Sequence, residues 1–83
     1  MKFSVGQEVK FIMGGSRYVP NYITESEGIP QNLLIHGSTV PKENKGVINA
    51  IHDKYYLVKY LDDRGNYTQL GFTEDKLEPY HST

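Results

Sequence analysis

The sequence predicts a mostly β domain of five antiparallel strands, and three observations predict it. Apolar and polar residues alternate with the period of two that a half-buried strand requires. β-branched and aromatic residues gather in short runs through the second half of the chain. Those runs are divided by short turn-forming clusters, and connections that short join antiparallel neighbours.

The first strand is expected around Val9 and Phe11, which alternate with Glu8 and Lys10. Phe3 and Val5 are expected to pack beneath it, with Gly6 supplying a turn. The second strand is Gly46-Val47-Ile48-Asn49-Ala50-Ile51, and His52-Asp53-Lys54 turns it into the third, Tyr55 to Leu61. In that third strand Tyr56, Val58 and Tyr60 share one face, and Tyr55, Leu57 and Lys59 share the other. Asp62-Asp63-Arg64-Gly65-Asn66 is a strong turn signal, followed by a fourth strand over Tyr67 to Phe72. Thr73 is expected to cap a single helical turn over Glu74-Asp75-Lys76, and Leu77-Glu78-Pro79-Tyr80 reads as an edge strand, where proline is tolerated.

Between the first and second strands lies an irregular segment, residues 14–45, rich in glycine and proline. A loop that long is uncommon in a compact domain and often functional. Within it a short helix is expected over residues 30–36, with Pro30 in its first turn and Gly37 as its C-terminal cap. Leu33 and Leu34 would then close one end of the core.

Composition excludes several function classes. Eighty-three residues are read as one domain with a thin core, too short for a cleft between two subdomains. There is no cysteine, so neither a disulfide frame nor a thiolate metal site is available, which favours a reducing, cytoplasmic setting. The N-terminus shows no leader-like apolar run, and no run approaches the roughly 20 apolar residues of a membrane span. Nine basic residues face ten acidic ones, whereas a dedicated DNA-binding domain usually carries a basic excess. Asn66-Tyr67-Thr68 matches a glycosylation sequon but reads better as a turn entering a strand.

The order strand, long loop, three strands joined by tight turns, helical turn, last strand resembles the SH3-like small β-barrels, a group that includes SH3, Tudor and KOW domains. The resemblance spans nearly the whole chain. It rests on the order of Phe3-Ser4-Val5-Gly6-Gln7-Glu8-Val9, Lys45 to Ile51, Tyr56 to Asp63 and Phe72 to Leu77. It implies a five-stranded antiparallel SH3-like barrel with a long first loop carrying a short helix. The text of the chain is also similar to a small accessory protein of bacterial prophages, which implies a phage or prophage setting. Neither resemblance carries catalytic residues over, because barrels of this kind serve many unrelated roles.

No catalytic, metal or cofactor site is expected. His36, His52 and His81 stand far apart without partners at ligand spacing. Gly14-Gly15-Ser16 lacks the lysine and hydroxyl spacing of a phosphate loop, and no nucleophile-elbow context appears. Asp62, Asp63, Glu74 and Asp75 are too few for a calcium cage of six to eight oxygens and read as turn chemistry.

Tyrosine is the informative residue type, with seven copies and no tryptophan. Tyrosine offers a large rigid contact face at low entropic cost. The candidate binding residues are Arg17, Tyr18 and Tyr22 in the loop, with Tyr55, Lys59 and Tyr67 on the strands. Tyr18 and Tyr22 either contact a partner or simply pack the loop onto the barrel. The acidic cluster and tryptophan pair of proline-peptide SH3 grooves are missing, and Tyr60 to Asn66 matches the methyl-cation cage of Tudor domains only out of register. The expected function is a non-enzymatic, monomeric binding module with a protein partner and no membrane. The alternative is a KOW-like nucleic-acid module, in which Lys10, Arg17, Lys45, Lys54, Lys59 and Arg64 interleave with Tyr18, Tyr55 and Tyr67.

Overall fold

The computed structural model of the chain describes residues 2–14, 19–23 and 29–81. Five strands form one sheet: β1 (Glu8–Phe11), β2 (Gly46–His52), β3 (Tyr55–Leu61), β4 (Tyr67–Phe72) and β5 (Leu77–Pro79). All pairs are antiparallel, and the strand order is β4-β3-β2-β1-β5. The end strands β4 and β5 are not hydrogen-bonded neighbours, so the sheet is open in its pairing.

The strands occupy the expected segments because their alternation is satisfied by burial. In β1, Val9 and Phe11 are buried while Glu8 and Lys10 face solvent. In β3, Tyr56, Val58 and Tyr60 enter the main core together with Phe3, Val9, Phe11, Ile48, Leu70, Phe72 and Leu77. Every strand thus contributes to one cluster. The ring centroids of Phe11 on β1 and Phe72 on β4 lie 5.0 Å apart although two strands separate β1 from β4 in the sheet. Strands spaced by about 4.8 Å would hold them far further apart in a flat sheet, so the sheet is strongly coiled around its core. Polar ends of the core aromatics are paired. The Tyr60 hydroxyl donates to the Thr39 carbonyl at 2.9 Å, and the Tyr56 hydroxyl accepts from the Phe3 N–H at 3.0 Å.

A second cluster lies on the outer face of the sheet, where Leu57 is buried under Ile23 and Ile29, with Leu33, Leu34, Ala50 and Tyr55 packed around them. A bulge in β2 lets that strand serve both clusters. Ile48 pairs with Val58 and Ala50 with Leu57, which leaves Asn49 as the extra residue. Ile48 and Ala50 would share a face in a regular strand, but here one joins the main core and the other packs on the outer cluster.

The described parts of the segment between β1 and β2 are therefore structural rather than a free loop. Their backbone bonds along the outer edge of β4: the Ile23 N–H donates to Gly71 at 2.7 Å, and Ile35 and Gln69 exchange two bonds at 2.9 and 3.0 Å. This covers an edge that would otherwise present unpaired backbone groups.

Four local expectations are corrected. The helix expected over residues 30–36 is a single 3₁₀ turn, Gln31–Leu33, with no buried residue, after which Leu34 is already extended. Bonding of Ile35 to β4 draws the chain out of helical geometry. Gly37 is not a cap: a Cβ there would stand 2.6 Å from Thr68 Oγ1 and 2.7 Å from Asp62 Oδ2, so glycine is needed for close approach. Val5 does not pack beneath β1 but is 63% exposed, whereas Phe3 is buried as expected. At Thr73 the hydroxyl bonds to the Asp75 carboxylate, and no side-chain cap bond closes the 3₁₀ turn Glu74–Lys76.

Candidate functional site

The outer face of the sheet is divided in two. Toward Tyr55 it is covered by Ile23, Ile29 and Leu33. Toward the other end of β3 it is an open groove of about 310 Å³, lined by Lys42, Glu43, Lys45, Gly46, Val47, Lys59, Tyr60, Leu61 and Tyr67. That volume is at the small end of ligand sites, which run to about 300–1,000 Å³.

Strand register builds the floor. Glu8, Val47, Lys59 and Gln69 are successive cross-strand partners from β1 to β4, so they share a face, and Leu61 stands opposite Tyr67. Gly46 lets the chain enter β2 over the core, because a Cβ there would meet Val58 Cγ1 at 2.6 Å and the Phe11 ring at 2.8 Å. The wall is the segment leading into β2. The Lys42 N–H donates to Leu61 at 2.9 Å, and the Asp63 N–H donates to Val40 at 2.9 Å. Asn44 holds its base: its Oδ1 accepts from the Phe11 N–H at 2.7 Å and its Nδ2 donates to the Phe11 carbonyl at 3.1 Å. A side-chain amide thus extends the β1–β2 ladder by one rung.

Asp62 ties this wall to the β3–β4 turn. Its Oδ1 accepts from the N–H groups of Arg64 and Asn66 at 2.9 and 2.8 Å, and its Oδ2 accepts from the Ser38 N–H at 3.0 Å. Burial raises its pKa, but the three backbone donors and the Arg64 guanidinium outweigh burial and hold the carboxyl below its usual range. The Thr68 hydroxyl donates to Ser38 at 2.8 Å and completes the clamp.

Charge around the groove is uneven. Lys45 pairs with Glu8 at 2.8 Å, and that hydrogen bond with its attendant charge raises the lysine pKa. Lys10 pairs with Glu78 at 3.4 Å. Lys42 and Lys59 make no ion pair among the described residues. Lys59 instead lies over the Tyr67 ring, 4.9 Å from its centroid, and Tyr67 remains 58% exposed.

Of the candidate binding residues, Lys59 and Tyr67 come together in this groove. Tyr55 shares the face of Lys59 but is separated from it by the buried Leu57, and it stacks on His52 at 5.3 Å. Tyr22 is half-buried against the main core. Arg17 and Tyr18 lie outside the described residues. Lys42, Val47 and Leu61 complete the groove and carry no local sequence signal, because only the strand register sets them beside Lys59 and Tyr67.

Among the described residues no group of three or more His, Cys, Asp or Glu side chains is arranged to hold a metal ion. No helix among them is long and apolar enough to cross a membrane. Compared with known proteins, the chain matches no family model, no curated protein and no solved structure.

Proposed function

We propose that this chain is a non-enzymatic binding module of SH3-like barrel type, that its partner is a protein, and that it works in the cytoplasm in a phage or prophage setting. Support for the barrel comes from the sheet order and from coiling tight enough to bring Phe11 and Phe72 into contact. One observation carries the binding function: an open groove holds two lysines that make no ion pair among the described residues, beside an exposed tyrosine. Exposed aromatics next to unpaired charge offer both contact area and orientation to a partner.

A nucleic-acid ligand is the second reading, favoured by the lysines and the aromatic face of Tyr67. The experiment is affinity capture from bacterial lysate with wild-type chain and with a Lys59→Glu/Tyr67→Ala double variant as baits, each with and without nuclease. A protein retained by the wild type alone, and resistant to nuclease, is the expected result. Capture that nuclease abolishes would transfer the function to nucleic acid. Equal capture by both baits would remove the groove from the function.

A further inference from the structure

We infer that the occupant of the groove is a short peptide segment bearing closely spaced carboxylates and an apolar side chain. This rests on the proposed protein-binding role and commits it to a chemistry. The groove cations Lys42 and Lys59 have no carboxylate partner among the described residues, whereas Lys45 and Lys10 are neutralised by Glu8 and Glu78. Among the described residues, the uncompensated positive charge of the groove thus rests on these two lysines, beside the single lining carboxylate of Glu43. A ligand complementary to it carries negative charge over a short span and not along its whole length.

That distribution decides between an acidic peptide and a nucleic-acid strand. A strand carries a phosphate at every nucleotide and rewards a continuous basic track. Here a polyanion meets Glu43 in the lining, Glu8 and Glu78 cancel Lys45 and Lys10 so that no continuous basic track runs onto the neighbouring strands, and no described arginine lines the site. The apolar requirement comes from Val47, Leu61 and Tyr67. Val47 is 39% exposed directly opposite Lys59 and Tyr67 is 58% exposed, so both offer apolar surface to an aliphatic side chain.

The test is selection from a library of random linear dodecapeptides displayed on phage, panned against the full chain. The selected pool is then re-bound to Lys42→Glu/Lys59→Glu and to Tyr67→Ala variants. Both sets of substitutions are on the surface, and circular dichroism checks that each variant is folded. The expected pool is enriched in aspartate and glutamate next to Leu, Ile, Val or Phe. Its binding falls at least tenfold on the double charge reversal and weakens as salt rises. A pool that needs Tyr67 but lacks acidic enrichment would overturn the acidic-peptide inference and leave the protein-binding role standing. No pool that depends on the groove, while an oligouridine of similar length shifts the amide resonances of Lys59 and Tyr67, would overturn both.

Discussion

Truncation of Ile29 to alanine separates a structural loop from a free one. Ile29 lies in the long segment between β1 and β2, is 4% exposed, and covers Leu57 on the outer face of the sheet. Its Cδ1 occupies the space next to Gly71, where an added Cβ would stand only 2.1 Å away. Replacing isoleucine by alanine removes three carbon groups, about 2.4 kcal/mol of transfer free energy at roughly 0.8 per group. The cavity left behind raises the cost to about 3 kcal/mol. Ile35 provides a control of identical chemistry in the same segment: it is 43% exposed, so its truncation costs about 1 kcal/mol or less. An 83-residue domain has a total stability of roughly 4–12 kcal/mol, so the first loss is a large fraction of it. The difference of about 2 kcal/mol corresponds to roughly 8–16 °C in Tm. With no tryptophan, urea and thermal unfolding are followed by tyrosine fluorescence and far-ultraviolet circular dichroism. Equal effects of Ile29→Ala and Ile35→Ala, or an Ile29→Ala loss under about 0.5 kcal/mol, would refute burial of this segment against the sheet.

Two further predictions concern pH. The folded pKa of Asp62 is depressed, so its stabilisation is present above an unfolded value of about 4 and is lost as pH falls through the folded value. Asp62→Asn should therefore lower stability at neutral pH and flatten the acid limb of a stability–pH curve measured by urea unfolding; an acid limb identical to wild type would dismiss Asp62 as its source. Burial, with the charges of Tyr22 and Asp62, pushes the Tyr60 hydroxyl well above the ordinary value of about 10. Its raised folded pKa means a contribution that is complete below about pH 10 and disappears as pH rises toward the folded value. Ultraviolet titration should show one late-ionising tyrosine, coincident with alkaline unfolding, that is missing in Tyr60→Phe. That variant should also lose about 1 kcal/mol with the hydrogen bond to Thr39, and normal ionisation of every wild-type tyrosine would contradict the buried hydroxyl.

Order along the outer face has a simple physical basis. Gln69 accepts from Asn49 Nδ2 at 2.7 Å through its side-chain oxygen and donates to Leu33 at 2.8 Å through its amide nitrogen. The amide chain links the bulge residue of β2, the strand β4 and the returning segment. It also marks the border of the groove, because Gln69 is the cross-strand partner of Lys59. Where apolar residues of the returning segment are available, the face is closed. Where the segment offers lysines and Glu43 instead, it is open.

Strand identity was determined by the sequence alone, since alternation at a period of two acts between neighbours. Val9 with Phe11, and Tyr56 with Val58 and Tyr60, fall on the core side for that reason. The Asp62–Asn66 turn was equally local: a short carboxylate accepts from backbone donors two and four residues ahead. Lys59 and Tyr67 were legible as exposed members of their strands, but their meeting was not. Only tertiary structure decided that Ile23 and Ile29 roof Leu57, that Gly37 must lack a side chain beside Asp62 and Thr68, and that Asn44 adds a rung to β1. Each of these joins residues 25 to 34 positions apart in the chain. No periodicity encodes such contacts, because they arise where a coiled sheet and a returning segment exclude water together, and that register is set by the packing of the whole.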